Sequence, residues 1–398
     1  MRLYIKITLL LCLLLFIPKV CVHAETEEAP VDPNETLQTA AEEQMEQLGI
    51  NDLSVHWDRL ISTYGQYLPG MEKKPLTELL KDGQAFSMEA WVKGILSFMF
   101  HELAANGKLL GTLVLLTVFS AFLQTLQNAF EQGTVSKTAY SVVLMVLLIL
   151  ALNSFRLAIN YATEAVDYMV NFLLALMPIL LALLASTGGA VSAAVFHPLV
   201  IFLMNAGGMA AQKIILPLLF FSTLLSLVSV FSARYKATKL ADLLRKGSIG
   251  LLSAFMAVYL AVVSIQGTAA AVTDGLAIRT AKFFAGNFIP VVGRMFTEAA
   301  DTVMSASLLL KNTIGVAGAG ILLLIVAFPA LKILVLVIVY RVAGAILQPL
   351  GDEVVSECLE IIGRNMTYIF AALVIVSFMF FVSIVILVAA SNVTMMIR

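Results

Sequence analysis

Long uncharged stretches dominate the pattern of hydrophobic and polar positions along this chain. Most are about 20 apolar residues long, which is the length that an α-helix needs to cross a bilayer. The fifth is overlong, and Pro329 near its middle predicts a kink or two shorter helices in series. The predicted membrane-spanning helices are Leu109–Gln127, Ala139–Ile159, Ile214–Ala233, Ser248–Gln266, Thr313–Leu347 and Tyr368–Ala390.

A further apolar region, Val166–Ala211, lies between the second and third predicted spans. Prolines and paired glycines interrupt it, which predicts a hairpin of broken helices that enters and leaves the membrane on one side. The interruptions are Pro178, Ser186–Gly189, His197-Pro198 and Gly207-Gly208.

A second hairpin is predicted from Thr273 to Thr313, with its break at Gly286, Asn287 and Pro290. Glycine is typical of a helix end, and proline is typical of the first turn of a new helix. At helical spacing, each arm is apolar with one charged stripe, formed by Arg279, Lys282, Arg294, Glu298 and Asp301.

Charges beside membrane spans are costly unless they pair or face water, so this stripe is a candidate functional site. The charges of the two arms could pair across the hairpin and have only a structural role. Alternatively, the stripe could line a water-filled path or contact a partner protein.

The N-terminus has the pattern of a secretory signal peptide. Arg2 and Lys6 precede the apolar run Ile7–Ile17, which is followed by the small-residue pattern Val22-His23-Ala24. We expect cleavage after Ala24, with retention as an uncleaved anchor as the alternative.

Residues 25–107 are predicted to form an exported, acidic helical region. Between Glu25 and Glu89 the chain has fourteen acidic residues against four basic ones, which disfavours a cytoplasmic position. Apolar positions from Trp57 to Leu68 predict an amphipathic helix that stops at Pro69-Gly70. A second short helix is predicted for Pro75–Lys81. A third helix, after Ser87, is predicted to lie in the membrane interface, with Trp91 at headgroup depth.

One short loop concentrates basic residues, which predicts that it lies in the cytoplasm. This orientation puts the exported region, the second hairpin and Arg398 on the opposite side. The loop could dock a soluble partner, or it could serve only to set the topology. Its basic residues are Arg234, Lys236, Lys239, Arg245 and Lys246.

Composition supports an all-α polytopic membrane protein, since 60% of the residues are hydrophobic and only 13% are charged. Enzyme motifs fail at specific positions. The zinc-protease pattern at His101-Glu102 has Ala105 where its second histidine belongs, and the P-loop pattern at Gly107-Lys108 has Glu102 where a glycine belongs. We therefore expect no catalytic, cofactor-binding, metal-binding or nucleic-acid-binding residues.

The chain also resembles itself at an offset of about 112 residues, which predicts an internal duplication. Because each copy would contain a hairpin and two spans, the copies would run parallel through the membrane. The matches are Pro178 with Pro290, Ala190–Ala194 with Thr302–Ala306, Gly208 with Gly320, and Pro217 with Pro329. The predicted divisions are 1–24, signal peptide; 25–107, exported region; 108–160, first two spans; 161–270, first membrane repeat; and 271–398, second membrane repeat.

Several stretches resemble the stage III sporulation protein AE family of endospore-forming bacteria. They are FHELAANGKLLGTL from Phe100, GGAVSAAVFHPL from Gly188, TDGLAIRTAKFFAGNFIPVVGRMFTEA from Thr273, and the endings AILQPLGDEVVSECL and NVTMMIR. The resemblance implies a mother-cell membrane component of the complex that joins the mother cell to the engulfed forespore. It also implies partners, namely other membrane proteins of that complex, a forespore-membrane protein and a separate cytoplasmic ATPase, and it assigns no catalytic residues.

The leading functional hypothesis is therefore a channel or platform subunit of a transenvelope complex. The alternative from another class is a secondary transporter of a small solute, which an internal repeat also fits. A platform subunit works only in its assembly, whereas a transporter moves its solute alone.

Overall fold

The structure, a computed structural model, describes residues 51–396 apart from residue 69 and the stretches 71–73, 82–87, 130–133, 232–235, 289–291 and 351–352. The predicted signal peptide and the start of the acidic region lie outside the described residues. Every regular element in the described part is a helix. The N-terminal helices are α1 (Asn51–Tyr64), α2 (Leu76–Lys81) and α3 (Met88–Ala105). The bundle helices are α4 (Gly107–Ala129), α5 (Thr134–Ser186), α6 (Ala190–Met209), α7 (Leu216–Phe231), α8 (Thr238–Phe288), α9 (Val292–Leu347) and α10 (Glu353–Met396).

The prediction of an all-α polytopic membrane protein is confirmed. Within the described residues, six helical segments are long and apolar enough to cross a membrane. Helices suit such sequences because all their backbone polar groups bond within the segment. The segments are Gly107–Leu126, Thr138–Ser186, Ala190–Phe231, Thr238–Ile265, Asp301–Ile346 and Glu353–Ala390.

The helices are longer than the predicted spans. Helix α5 has 53 residues and α9 has 56. At 1.5 Å per residue each is about 80 Å long, against about 30 Å for the hydrocarbon core of a bilayer. Pro329 lies inside α9, which is one continuous helix rather than two in series.

The first hairpin has one break rather than the four that the sequence predicts. Helix α5 ends at Ser186, and Gly188 turns the chain with φ at +89°. A Cβ on Gly189 would lie only 2.7 Å from the Leu184 side chain, so this turn requires its glycines. Pro178 and Pro198 lie inside helices, and the chain continues from Gly207-Gly208 through a π-helical segment, Ala210–Ile215, into α7.

The second hairpin divides where the sequence predicts. Helix α8 ends at Phe288 and α9 begins at Val292, so Gly286 and Asn287 belong to the last turn of α8. Pro290 lies outside the described residues.

Helix α9 lies at the centre of the bundle and runs antiparallel to α5. The Tyr340 hydroxyl donates to the Leu150 carbonyl at 3.3 Å. Further along α5, a Cβ on Gly318 would lie 2.6 Å from the Leu176 side chain. These two contacts fix the register of the two longest helices.

Helix α8 runs antiparallel to α6 and α7. The Ser222 hydroxyl of α7 donates to the Ala241 carbonyl at 2.7 Å, and Asp274 of α8 reaches the start of α6. Helix α10 runs parallel to α8, since Arg245 lies over the Tyr368 ring at 5.5 Å and, further along both helices, the Tyr259 and Ser383 hydroxyls are hydrogen-bonded at 2.5 Å.

A band of polar residues crosses the bundle at mid-height. The Gln212 amide donates to the Asp167 carboxylate at 2.6 Å, and Lys332 lies near Tyr161 at the same level. We call this band the polar waist, and it comprises Arg59, Glu164, Asp167, Gln212 and Lys332.

The waist separates two apolar halves. The first apolar half contains α4, α5 before residue 160, α7 and the end of α9; the second contains α5 after residue 167, α6 and the facing parts of α8, α9 and α10. Both halves have exposed large apolar side chains, such as Met145 and Ile149 in the first, and Leu309 and Val316 in the second.

The internal repeat remains a prediction. The α6–α7 segment and α9 run in one direction, and α8 and α10 run in the other, as parallel copies require. Pro217 and Pro329 both lie near the middle of these long helical segments. At an offset of 112, however, the turn at Gly188 would correspond to a position inside α9, so this offset does not align the two hairpin breaks.

Candidate functional site

The charged stripe of the second hairpin lies at the end of the second apolar half. Arg279 of α8 is exposed, and Asp301 of α9 is half-buried. Lys282, Arg294 and Glu298 lie on the helical backbone of α8 and α9, but their side chains are outside the described residues. The pairing of the two arms therefore remains a prediction.

Asp274 lies just before this stripe and is almost fully buried. Its carboxylate accepts hydrogen bonds from the backbone N–H groups of Val191 and Ser192, at 3.0 and 3.1 Å. These groups belong to the first turn of α6, where helical N–H groups have no partner within the helix. Gly189, at the N-cap position, has no side chain to bond them, so Asp274 caps α6 from another helix.

The cap joins the two hairpins. A carboxylate at a helix N-terminus is also favoured by the helix dipole, which helps to explain how α8 tolerates a buried acid. The sequence analysis missed this role, although two signals were present: a hairpin turn without a capping side chain, and a lone acid after the uncharged residues 247–273.

Lys311 is a second charged residue that the sequence analysis missed. It is fully buried on α9, and its ammonium donates to the Val388 carbonyl of α10 at 3.0 Å. Gly315, one turn later, allows this approach, because a Cβ there would lie 2.2 Å from Val388. The Asn312 side-chain oxygen is buried and has no partner. An ionisable residue at such a position is a candidate for function.

Some basic side chains of the predicted cytoplasmic loop are exposed, and another contacts neighbouring side chains. Lys236, Lys239 and Lys246 are exposed. Arg245 pairs with Asp242, and its guanidinium lies over the Tyr368 ring at 5.5 Å. Arg234 lies outside the described residues.

Beside this loop, the corner between α9 and α10 forms a polar cavity of about 330 Å³. Arg341 and Arg364 line it together with Glu360. The Arg341 guanidinium donates to the Thr367 hydroxyl at 3.3 Å. The sequence analysis did not connect this corner with the basic loop, which lies far away along the chain.

Contacts between the helices give the height of the basic loop along the bundle. Arg245 lies against Tyr368 of α10, about one and a half turns beyond Gly363. Gly363 lies against Tyr340, which bonds to Leu150 of α5. The loop is therefore level with the part of α5 just beyond Leu150.

Helix α1 packs across the bundle close to that height. The Tyr168 hydroxyl of α5 donates to the His56 carbonyl at 2.6 Å, and the Tyr64 ring stacks on Phe328 of α9 at 4.0 Å. Trp57 is fully buried, and its indole N–H donates to the Lys74 carbonyl at 2.9 Å. The predicted amphipathic helix thus attaches the N-terminal region to the polar waist.

Arg245 of the basic loop is level with about Phe155 of α5, and α1 lies beside α5 from Tyr161 to Phe172. The separation of 6 to 17 residues is about 9–25 Å at 1.5 Å per residue. A hydrocarbon core about 30 Å thick does not fit between them in this packing. That they lie on opposite sides of the membrane therefore remains a prediction, and cysteine labelling can test it.

In the part of the chain that the structure describes, no group of three His, Cys, Asp or Glu side chains is arranged to hold a metal ion. The described residues instead include two kinds of charged group. Buried charges connect neighbouring helices, and other charged residues lie at the polar waist and at the helix ends.

Comparisons with known proteins agree with one another. A family model described as stage III sporulation protein AE matches residues 71–391. The stage III sporulation protein AE of Bacillus subtilis (strain 168) is 54% identical over 375 residues, covering 94% of each chain. No solved structure matches this chain. The chain therefore belongs to the stage III sporulation protein AE family, whose members are membrane proteins of sporulation.

Proposed function

We propose that this protein is a channel or platform subunit of the transenvelope complex that joins the mother cell to the forespore. It lies in the mother-cell membrane around the forespore and works only in an assembly with other membrane proteins. Its N-terminal region lies in the intermembrane space, as the signal-peptide pattern and the acidic composition favour. This position requires α1 and the basic loop to lie further apart in the membrane than they do in the packing described above.

The observation that carries the proposal is the length of exposed apolar surface. Leu309 and Ile346 of α9 are both more than half exposed. They lie about 56 Å apart at 1.5 Å per residue. A tilt of about 58° would be needed to fit this length into a core of about 30 Å, whereas membrane helices tilt by up to about 40°.

One bilayer therefore covers only one of the two apolar halves. Exposed apolar surface of this extent marks a protein–protein interface in folded proteins. Neighbouring subunits cover the exposed apolar surface of the other half. A transporter that works alone has no such neighbours.

The charged end formed by Lys236, Lys239, Lys246 and the α9–α10 corner is the proposed docking surface for a cytoplasmic ATPase. Exposed charges of both signs favour selective, salt-sensitive association with a soluble partner. Energy would then come from that partner. Charge reversal at Lys239 and Lys246 should weaken such an association, whereas Lys108→Glu, an exposed change on α4, should not.

Co-purification tests the proposal. The full chain, tagged and isolated from sporulating cells, should carry other membrane proteins of the complex, and vesicles holding the chain alone should not take up solute. Solute uptake by the lone chain, together with no co-purifying protein, would favour the secondary transporter instead.

Sidedness is tested separately by cysteine labelling in intact non-sporulating cells that express the chain, where the outside of the cell membrane corresponds to the intermembrane space. An impermeant reagent should label a cysteine at Thr26 and should not label one at Thr238. Protection at Thr26 would contradict the proposed position of the N-terminal region.

A further inference from the structure

A cavity of about 230 Å³ lies at the polar waist, between α1, α5 and α9. Its walls come from three segments far apart in sequence, so it exists only when the N-terminal region is docked. Arg59, Thr63 and Glu164 are exposed at its rim, while Tyr161 and Lys332 are half-buried deeper inside.

Two cations point into this cavity and rest on tyrosine rings. The Lys332 ammonium lies 5.1 Å from the centroid of the Tyr161 ring and 5.9 Å from that of Tyr64. The Arg59 guanidinium lies 5.2 Å from the centroid of the Tyr168 ring. Among the described residues, neither cation has a carboxylate oxygen within 4 Å, so the rings hold both without neutralising them.

Two cations that have no ion-pair partner among the described residues favour an anionic ligand. Arginine and lysine are the side chains that most often bind phosphate oxygens, by charge-assisted hydrogen bonds. The Tyr168 hydroxyl already donates to the His56 carbonyl, and Tyr64 and Tyr161 also line the cavity.

Glu164 limits the charge of that ligand. With Arg59 and Lys332 positive and Glu164 negative, the lining has a net charge of about +1 at neutral pH. Glu102, which acts electrostatically on Tyr64 and Tyr161, adds negative charge beside the lining. A phosphate monoester carries about −1.5 to −2 at pH 7. A phosphodiester carries a single negative charge and is therefore the better match.

The position of the cavity points to the source of such a group. The waist borders both apolar halves, so the cavity lies at headgroup depth whichever half the bilayer covers. Tyrosine side chains are also enriched at that depth. A phospholipid headgroup is a phosphodiester at this level, whereas a soluble phosphodiester would have to enter from the aqueous side.

We propose that the cavity between α1, α5 and α9 binds one phosphodiester group through Arg59 and Lys332, supplied by the headgroup of an anionic phospholipid. The bound lipid bridges the N-terminal region and the bundle. This site does not depend on the proposed assembly, because one chain contains all of it.

Native mass spectrometry of the full chain in detergent, titrated with phosphatidylglycerol, tests the site. The double variant Arg59→Gln/Lys332→Gln should raise the apparent Kd at least tenfold. Lys246→Gln, which removes an exposed cation elsewhere, should change it less than twofold, and Lys332→Arg should retain binding. Equal affinity of the double variant and the unmodified protein would overturn the proposal.

A gain of affinity provides a test that does not depend on the double variant folding. Glu164→Gln should strengthen the binding of phosphatidic acid, a monoester, relative to phosphatidylglycerol by at least threefold. An unchanged ratio would contradict the charge argument on which the proposal rests.

Competition separates the two sources of the group. Glycerophosphoglycerol, the headgroup without acyl chains, should not displace the lipid at equal concentration if the lipid is the ligand. Displacement at equal concentration would overturn the lipid as the source and assign the site to a soluble phosphodiester.

Discussion

At the scale of single residues, the fold depends on a few charges inside uncharged helices. Asp274 and Lys311 are both buried, and each bonds to backbone groups of another helix. Their energetic roles differ, because the carboxylate satisfies two helix N–H groups, whereas Val388 O already has a partner within its own helix.

Removal of the Asp274 carboxylate should therefore destabilise the protein. In Asp274→Ala, two buried N–H groups of α6 lose their acceptor, at a cost of about 1–3 kcal/mol for each unsatisfied group. Asp274→Asn keeps one acceptor oxygen and should cost less. Thermal unfolding of the purified protein in detergent measures the effect, with Asp58→Ala as a control that removes an exposed carboxylate of α1. A melting temperature for Asp274→Ala equal to that of the control would show that the cap contributes nothing.

Lys311 should behave in the opposite way. A buried ammonium that has no carboxylate partner among the described residues costs free energy, so an apolar side chain of similar volume should be neutral or stabilising at this position. Lys311→Met should therefore keep or raise the melting temperature. If the lysine has a functional role, the variant accumulates normally in cells but lowers spore formation. A clear loss of stability would contradict this expectation and would make Lys311 a structural residue.

At the scale of elements, α1 and α3 join the N-terminal region to the bundle, and the Phe98 ring of α3 lies 4.9 Å from the Phe328 ring. Helix α1 also contacts α5. The His56 ring lies 5.5 Å from the Tyr168 ring and 5.9 Å from that of Phe172. Burial holds the pKa of His56 below its ordinary value of 6.5, Arg59 lowers it further, and Asp52 acts in the other direction.

Docking of α1 should consequently weaken in acid. Because the docked state disfavours protonated His56, the undocked state binds more protons at low pH, and stability falls as the pH drops below about 6.5. Hydrogen exchange of the α1 amides should be faster at pH 5.5 than at pH 7.5, after correction for the intrinsic rate. His56→Phe should remove most of this difference, and an equal difference in the variant would rule out His56 as its cause.

For the charged stripe of the second hairpin, two hypotheses remain: the charges pair across the hairpin, or they face a water-filled path. Charge reversal distinguishes the two. If the arms pair, Glu298→Lys should lower the abundance of the protein, because unpaired charges near a low-dielectric region reduce the free energy of unfolding by roughly several kcal/mol. Adding Arg279→Glu should then restore much of it. If the stripe faces a water-filled path, Glu298→Lys should leave abundance normal and block spore formation, without rescue by the second change.

Local sequence patterns predicted an all-α membrane protein and the positions of two hairpin turns, at Ser186–Gly189 and after Phe288. They failed where the outcome depends on residues far apart in the chain. Polar residues such as Glu164 and Asp167 mark a span end in a hydropathy pattern, yet the helix continues through them, and Gln212 from another segment bonds the Asp167 side chain. The roles of Asp274 and Lys311 depend on neighbours from other helices, which no local pattern contains.

At the scale of the whole molecule, the account depends on two apolar halves separated by a polar waist. A bilayer about 30 Å thick covers one of them. The central claim is that protein subunits of the sporulation complex cover the other half, so that the chain is complete only in its assembly.

Photo-crosslinking in sporulating cells tests this claim most directly. A photoreactive residue is introduced at exposed apolar positions, Leu115 and Met145 in the first apolar half and Leu309 and Val316 in the second. The account predicts protein adducts from one half and lipid adducts alone from the other. Lipid adducts alone from both halves would contradict it.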